Sequence, residues 1–419
     1  MALFPRNSAF SRVTALAGQR PVHAAFAWLH GNPKRIMDWQ AALVAIPAPP
    51  FGEQARSTWM AERFREAGLV QVASDQVGNV LGYLPAANLS PDATGPIVVL
   101  SAHLDTVFPA DTPLSPLLSH DRLEAPGACD NAAGVVGMLA VAHALVHSGI
   151  ELPASLLFVG NVGEEGEGDL RGVRHLYDQP SIAGRIAAHI VLDGAGADSA
   201  VTQALGSRRY QIVITGPGGH SFTDAGTPNP IAALAAALAV LAQTPLTDEP
   251  RTTLNLGTIH GGTSVNSIPE SAQATVDCRS TSPDQLTRLE VAVHRAVEDA
   301  VTRTNLAAAA SAKPARGLLA FAIREIGNRP AALLPADSPL LDTLRAVDRH
   351  LSLRTDLRLG STDANIPLAR GIPALSMGAG GDGGGAHTKA EWYSAKNRES
   401  GLKRVLLLTT AMTEWAAEQ

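Results

Sequence analysis

"GPIVVLSAHLD", residues 95–105, places a histidine and an aspartate directly after an apolar run rich in β-branched side chains. The run 97–100 has the composition of a strand buried on both faces of a parallel sheet. His103 and Asp105 are therefore expected at the carboxyl end of that strand, the edge at which open α/β sheets bind their ligands. Whether they form a functional site depends on the residues that follow the other strands.

The composition is that of a globular protein. The chain has 419 residues, of which 45% are hydrophobic and 17% charged, and its length favours two domains. A net charge of −6 provides no basic footprint for nucleic acid, and no apolar run approaches the roughly 20 residues of a membrane helix. Cys129 and Cys278 form no CxxC pair, and residues 1–26 contain no clear signal-peptide core, so a cytoplasmic location is expected.

Apolar, strand-like runs alternate with helix-like segments over most of the chain. The clearest helix is "NAAGVVGMLAVAHALVHSG", residues 131–149, and two more helices are predicted within 34–68. The strand candidates are 97–100, 155–162, 189–193 and 374–378. This alternation predicts an α/β domain with a mostly parallel sheet flanked by helices.

The middle of the chain has a different order of elements. Its strand-like runs are 208–216, 252–261, 271–280 and 317–326, and its helix-like runs are 229–243 and 283–304. The resulting order, β-α-β-β-α-β, is that of a ferredoxin-like α+β sandwich. We therefore predict an inserted domain at 207–329, with 1–206 and 330–419 forming the domain that it interrupts.

Side chains that bind metals occur in the segments around the strand ends of the outer domain. These imidazole and carboxylate groups belong to His103, Asp130, Glu164, Glu165, Asp193 and His387. Because ligands of α/β sheets gather at one edge, we expect them to lie close together. Several carboxylates in one place repel one another unless a cation lies among them. Imidazole and carboxylate without thiolate suit Zn²⁺, with Co²⁺ or Mn²⁺ as substitutes.

The set of ligands is larger than one tetrahedral ion needs. Shared between two ions about 3.5 Å apart, with one carboxylate bridging, it matches a two-metal hydrolytic centre. Asp105 is expected to accept the second ring N–H of His103, which orients a metal-binding imidazole. Adjacent residues of an extended segment point in opposite directions, so we assign Glu165 to the metal and Glu164 to general base catalysis.

Five motifs of the chain resemble those of the M20 metallopeptidases. They are "SAHLDTV", "GACDNAAG", "GEEGEGD", "LDG" and "GGAHTKAEW". The resemblance covers almost the whole chain, because the inserted domain corresponds to that family's lid. Within the family, the motifs are closer to peptidase T-like and carboxypeptidase G2-like members than to the succinyl-diaminopimelate desuccinylases.

The resemblance implies a role for each ligand and two zinc ions per subunit. It assigns His103 and Asp193 to one zinc ion, Glu165 and His387 to the other, and Asp130 to both. Since the family's lid often mediates dimerisation, it also implies a homodimer formed through the inserted domain.

Further site residues follow from the same resemblance. "GPGGHS" supplies His220, which in the family reaches the other subunit's active site and stabilises the oxyanion. "GGTSVNSIP" supplies Asn266 and "DCRS" supplies Arg279, both at substrate-contacting positions, and a guanidinium fork suits a substrate carboxylate. "STDAN", residues 361–365, corresponds to a pocket-lining loop, which makes Ser361 and Thr362 candidates for substrate binding.

Together these features favour a dinuclear-zinc exopeptidase that cleaves the amide bonds of short peptides. An N-acyl-amino-acid deacylase is the alternative within the same chemistry. A non-catalytic zinc-binding scaffold is a third hypothesis, and the presence of Glu164 beside Glu165 argues against it. The expected partners are a short peptide or an N-acyl amino acid and a second copy of the chain, with neither nucleic acid nor membrane.

Overall fold

The computed structural model describes residues 8–87, 95–311 and 316–419, which divide into two compact units. One unit comprises Met1–Ala204 with Leu333–Gln419, and the other comprises Leu205–Ala332. The chain therefore leaves the first unit once and returns to it. Within the described ranges, no helix has the length and apolar character that crossing a bilayer requires.

The helices and strands are numbered in chain order. The helices are α1 (Ala9–Ala17), α2 (Arg20–Gly31), α3 (Pro33–Val44), α4 (Gln54–Ala67), α5 (Ala132–Ser148), α6 (Arg171–Asp178), α7 (Pro180–Ala183), α8 (Pro230–Ala242), α9 (Pro283–Ala309), α10 (Pro339–Leu351), α11 (Asn365–Ala369) and α12 (Arg398–Ala417). The strands are β1 (Val70–Ser74), β2 (Val80–Leu84), β3 (Ile97–His103), β4 (Leu117–Ser119), β5 (Arg122–Glu124), β6 (Ser155–Asn161), β7 (Ile186–Leu192), β8 (Ser199–Ala204), β9 (Gly206–Thr215), β10 (Gly219–His220), β11 (Thr252–Gly261), β12 (Ser267–Ile268), β13 (Ser271–Ser280), β14 (Ala320–Arg329), β15 (Ala332–Leu333), β16 (Asp356–Gly360), β17 (Ala374–Met377), β18 (Asp382–Gly384) and β19 (Trp392–Ser394).

The first unit is built on a mixed sheet with the order β1-β2-β6-β3-β7-β17-β8-β15, and β16 also pairs with β8. Its centre is parallel, since β3 pairs with β6 and β7, and β7 pairs with β17, in the same direction. Strands β3 and β6 are buried along their whole length, which explains their continuous apolar runs. The predicted α/β class, with a mostly parallel sheet flanked by helices, is confirmed.

Helix α5 packs against β3 and β7 and has no polar face over its first four turns. It begins at Asn131, whose side chain accepts the N–H of Gly134, and it ends before Gly149 in the left-handed region. A helix that is apolar all round is expected to be buried, and the residues from Ala132 to Leu145 are buried. The helix therefore holds the segment before it, which contains Asp130, against the centre of the sheet.

Two helices that the sequence analysis did not assign, α1 and α2, precede α3. Helix α1 packs on α10, and α2 packs on α5. Trp28 of α2 and Trp39 of α3 both stack on His143, with ring centroids 5.4 and 4.9 Å from the imidazole. The alternation of charges and prolines in 8–31 is therefore compatible with two short helices, while residues 1–7 lie outside the described part of the chain.

The second unit is an antiparallel sheet with the order β11-β13-β9-β14, and α8 and α9 cover one of its faces. In order of appearance along the chain this is the 4-1-3-2 arrangement of a ferredoxin-like sandwich. Its core joins the inward side chains of the strands, such as Ile212 and Val276, to those of the helices, such as Leu234 and Leu289. A short ribbon, β10 with β12, lies outside this sheet.

A small sheet, β18-β19-β5-β4, includes part of the glycine-rich stretch "GAGGDGGGAH", residues 378–387. It pairs the hairpin around His387 with the segment that leads to Asp130. A side chain at Gly383 would bring its Cβ to 2.4 Å from Cys129 Sγ, so only glycine allows the two segments to approach this closely. Gly383 is therefore required for the close packing of these two segments.

Candidate metal centre

Five predicted ligands converge at the carboxyl edge of the sheet of the first unit. His103 is the last residue of β3, Asp193 directly follows β7, and Glu165 follows β6 by four residues. Asp130 lies just before α5, and His387 lies in the loop between β18 and β19. The parallel centre of the sheet places His103, Asp193 and Glu165 beside one another. The small sheet positions the segments that contain Asp130 and His387.

The five side chains form two groups that share Asp130. His103, Asp130 and Asp193 make up one group, and Asp130, Glu165 and His387 make up the other, with ligand atoms within 4.8 Å of one another in each. Asp130 Oδ1 lies 3.1 Å from His103 Nε2, and Asp130 Oδ2 lies 3.1 Å from His387 Nε2. His387 Nε2 is also 3.0 Å from Glu165 Oε1. One carboxylate therefore faces both imidazoles.

The cluster of carboxylates and imidazoles carries an excess of negative charge. Hydrogen bonding to Asp130 raises the pKa of His387 to about 9. Burial lowers the pKa of His103, but the carboxylates of Asp105, Asp130 and Asp193 outweigh burial and raise it well above its usual range. Burial raises the pKa of Asp130, yet the two imidazoles hold it below its usual range. The cluster therefore attracts positive charge.

The donor set fits a divalent cation. Asp130 Oδ1 is buried, and among the described residues no donor is oriented to hydrogen-bond to it. Two imidazoles and three carboxylates, with no thiolate among the five, are ligands that Zn²⁺ and similar ions accept. A cation would replace the protons that the carboxylates otherwise draw onto the two imidazoles.

Asp105 is buried beside His103, and it also contacts the loop that carries both glutamates. His103 Nδ1 lies 3.1 Å from the backbone oxygen of Asp105 and 3.6 Å from its carboxylate. The carboxylate instead accepts the backbone N–H groups of Glu164 and Glu165, at 3.0 and 2.8 Å. Both backbone N–H groups lie closer to the carboxylate than the ring nitrogen does, so the expected contact between the carboxylate and the imidazole is a longer one. Asp105 ties the end of β3 to the loop that carries both glutamates.

Glu164 and Glu165 are both buried beside His103, and the three could together hold an ion. Glu165 also approaches His387, and burial raises the pKa of Glu165. Proximity to His387 therefore distinguishes Glu165 from its neighbour.

His220 and Asn266 come together in the second unit through the β10–β12 ribbon. The Ser221 N–H donates to the backbone oxygen of Asn266 at 3.0 Å. His220 Nδ1 accepts the N–H groups of Phe222 and Thr223 at 3.1 and 3.3 Å, so the neutral ring carries its proton on Nε2. This exposed imidazole presents a hydrogen-bond donor.

The other predicted substrate contacts occupy different places. Arg279 lies near the carboxyl end of β13, and its Nε donates to Asp277 at 2.8 Å. Ser361 follows β16 in the first unit. Thr362 is buried, and its hydroxyl accepts the N–H of Ala364.

Three buried side chains that support the site were missed by the sequence analysis. Glu391 accepts backbone N–H groups around Asp130, Gln40 donates to the carbonyl of Ala128, and Arg56 donates to the carbonyl of Leu104. Only Glu391 lies within a motif that had been noticed. Their burial depends on segments that are distant in sequence, so no local sequence pattern predicts it.

A mostly parallel α/β sheet with histidines and carboxylates at its carboxyl edge is an arrangement that suits a metal-dependent hydrolase. The chain belongs to the M20/M25/M40 family of peptidases, whose family model matches residues 99–412. The resemblance noted from the motifs is thereby confirmed, and the protein is a hydrolase of the peptidase type.

Relatives match over different shares of the chain. YqjE of Bacillus subtilis is 24% identical over 377 residues, which cover 86% of this chain and 93% of YqjE. A probable carboxypeptidase of Aspergillus clavatus is 27% identical over 270 residues, which cover 59% of this chain and 58% of that protein.

Solved structures share the fold over nearly the whole chain. The aminopeptidase PepT of Bacillus cereus superposes with a TM-score of 0.69 at 19% identity, covering 91% of this chain and 98% of PepT. YXEP of Bacillus subtilis, described as a dinuclear metal-binding peptidase of family M20, superposes with a TM-score of 0.62 at 16% identity, covering 92% of this chain and 99% of YXEP.

Proposed function

We propose that this protein is a dinuclear-zinc exopeptidase that hydrolyses short peptides. The observation that carries the proposal is the pair of ligand groups that share Asp130. One carboxylate facing two separate imidazoles is the arrangement that a bridged pair of ions requires. In this proposal His103 and Asp193 hold one ion, and Glu165 and His387 hold the other.

The zinc pair, when bound, would polarise the scissile carbonyl and lower the pKa of the attacking water. Glu164 takes a proton from that water as its oxygen bonds to the carbonyl carbon, and passes the proton to the leaving amine as the C–N bond breaks. Asp105 supports this step indirectly, because its carboxylate holds the backbone N–H of Glu164 and of Glu165.

His220 is proposed to stabilise the oxyanion in the active site of a second subunit. Its Nε2–H is the donor that this role requires, since Nδ1 accepts two backbone N–H groups. Asn266, its neighbour in the β10–β12 ribbon, together with Arg279, Ser361 and Thr362, is proposed to contact the substrate. A guanidinium beside a peptide's carboxylate would favour substrates with a free carboxyl end.

A homodimer formed through the second unit is part of this proposal. The exposed residues of α8 between Pro230 and Ala242 are all apolar, and they include Ile231 and Val240. Strand β11, against which α8 packs, lies at one edge of its sheet and exposes Ile259. An apolar helix face next to a sheet edge suits a second copy that offers the same two features.

A cytoplasmic location is proposed from the cysteines. Cys129 and Cys278 are both buried free thiols, and burial raises the pKa of each to about 12. Unreactive thiols without a disulfide suit a reducing compartment.

A substrate panel tests the proposal. Purified protein is incubated with dipeptides, tripeptides and N-acetyl amino acids, before and after chelation and after return of Zn²⁺, and products are identified by mass spectrometry. We expect a terminal residue to be released from free peptides, the activity to disappear on chelation and Zn²⁺ to restore it. Cleavage of N-acetyl amino acids alone would identify a deacylase instead, and turnover that survives complete metal removal would refute the metal mechanism.

A further inference from the structure

Glu391 lies four residues after His387 and directly before β19, and its side chain is 1% exposed. Its carboxylate accepts three backbone N–H groups from the segment that precedes α5. Oε2 accepts from Gly127 at 2.8 Å, and Oε1 accepts from Cys129 and Asp130, each at 2.7 Å. One buried carboxylate thus satisfies most of the donors of this segment.

The segment 127–130 needs such an acceptor. It belongs to neither a helix nor a strand, and of its four N–H groups that of Ala128 donates to the backbone oxygen of Ala125, while the other three donate to Glu391. On its carbonyl side, Gln40 Nε2 donates to Ala128 at 2.7 Å, and Gln40 is fully buried. Hydrogen bonds to an ionised acceptor are stronger than neutral ones, so Glu391 supplies the larger part of this anchoring.

A carboxylate beside the negatively charged metal centre has an electrostatic cost, which buried Arg56 reduces. Arg56 is 1% exposed, donates to the backbone oxygens of Ile46 and Leu104, and attracts both Asp105 and Glu391. Burial still raises the pKa of Glu391, and the three N–H donors oppose that rise. Burying an acid at this position costs free energy. This cost is justified only if segment 127–130 must be held accurately.

We propose that Glu391 is a positioning residue for the metal centre, which acts by fixing the orientation of Asp130. Glu391 binds the Asp130 N–H and belongs to the same hairpin as His387, so one segment sets the spacing between the two ligands. This spacing places Asp130 Oδ2 3.1 Å from His387 Nε2 and leaves Oδ1 3.1 Å from His103 Nε2. The proposal rests on the metal centre proposed above.

The test measures metal binding rather than turnover. Full-length wild type and Glu391→Gln are stripped of metal, titrated with Zn²⁺ against a chromophoric chelator, and titrated with Co²⁺ while the visible absorption bands are recorded. The amide keeps the size of the side chain but has a single acceptor oxygen and no charge. We expect about 10–100-fold weaker binding, typical of losing a group that orients a metal ligand, and altered Co²⁺ bands.

Asp348→Asn is the matched control. Asp348 is also a buried carboxylate, but it pairs with Arg404 and Thr355. Its loss should lower the free energy of unfolding while metal affinity and Co²⁺ bands stay as in wild type. A folded Glu391→Gln protein with wild-type affinity and bands would overturn the proposal.

Two further outcomes are decisive. If Glu391→Gln does not fold by circular dichroism, Gln40→Met, which removes the donor to Ala128 of the same segment, takes its place. We expect a smaller loss of affinity in the same direction, and unchanged binding would overturn the proposal. If the wild-type protein binds no Zn²⁺ at all, the dinuclear function fails together with this inference, whereas tight binding without any peptide hydrolysis counts against the function alone.

Discussion

Asp130 contacts both imidazoles of the candidate metal centre through different carboxylate oxygens. The two glutamates that follow β6 are less symmetric than their adjacency in sequence suggests. Glu165 approaches His387, whereas Glu164 shares a group only with His103 and Glu165. This difference in surroundings supports the proposed roles, with Glu165 as a metal ligand and Glu164 as the general base, and substitutions of the two residues test them.

Glu164→Gln is expected to lower kcat by about 10²–10⁴-fold, because a general base contributes that much to the rate. Its metal content, measured by elemental analysis, should remain that of wild type. Glu165→Gln is the matched variant, and it should lose metal. If Glu165→Gln keeps its metal and Glu164→Gln loses it, the roles of the two residues are reversed.

His220→Ala is expected to lower kcat by about 10²–10³-fold with unchanged metal content, since one oxyanion donor is removed. His220→Gln, which retains an N–H donor, should recover part of the loss. An unchanged kcat in His220→Ala would exclude His220 from oxyanion binding.

At the scale of elements, the contacts of α2, α3 and α5 depend on a neutral histidine. His143 of α5 stacks on both Trp28 and Trp39, and its Nε2 is buried without a hydrogen-bond partner among the described residues. Burial, together with the nearby charges of Arg35 and Arg63, lowers the pKa of His143 from 6.5 to about 4. The folded protein therefore takes up this proton less readily than the unfolded chain does.

Acid should accordingly destabilise this helix packing. Stability from His143 is complete above about pH 6.5 and is lost as the pH falls towards 4, because the unfolded chain binds the proton first. In His143→Phe, which cannot titrate, the decrease in free energy of unfolding between pH 7 and pH 4.5 should shrink by on the order of 1 kcal/mol, measured by urea denaturation. His147→Phe, at an exposed position of the same helix, should leave the pH dependence unchanged. A parallel pH dependence in wild type and His143→Phe would contradict the assignment.

At the scale of the whole molecule, the apolar face of α8 predicts self-association. Val240→Glu places a charge on this face, where the side chain is 48% exposed, and should convert a dimer into a monomer in light-scattering measurements. Leu306→Glu is the matched control, since Leu306 is 66% exposed on α9. Dimers that persist in Val240→Glu, or dissociate equally in both variants, would argue against α8 as the interface.

Much of the architecture was predictable from the sequence because its determinants are local. The buried runs of β3 and β6 are continuous and apolar, α5 carries its own capping residues, and the order of elements in 207–329 already describes a ferredoxin-like unit. His103 and Asp193 adjoin the carboxyl ends of parallel strands, so their convergence follows from strand direction alone.

Other features were decided only by tertiary structure, because they depend on segments that are remote along the chain. Glu391 and Asp130 are 261 residues apart, and the pairing of β19 with β5 brings them together. Asp105 binds two backbone N–H groups in addition to lying 3.6 Å from the imidazole two residues before it, since β6 lies beside β3. The sequence indicates which side chains lie at strand ends. The partners of a buried carboxylate instead depend on which unpaired backbone donors the tertiary fold places within hydrogen-bond distance.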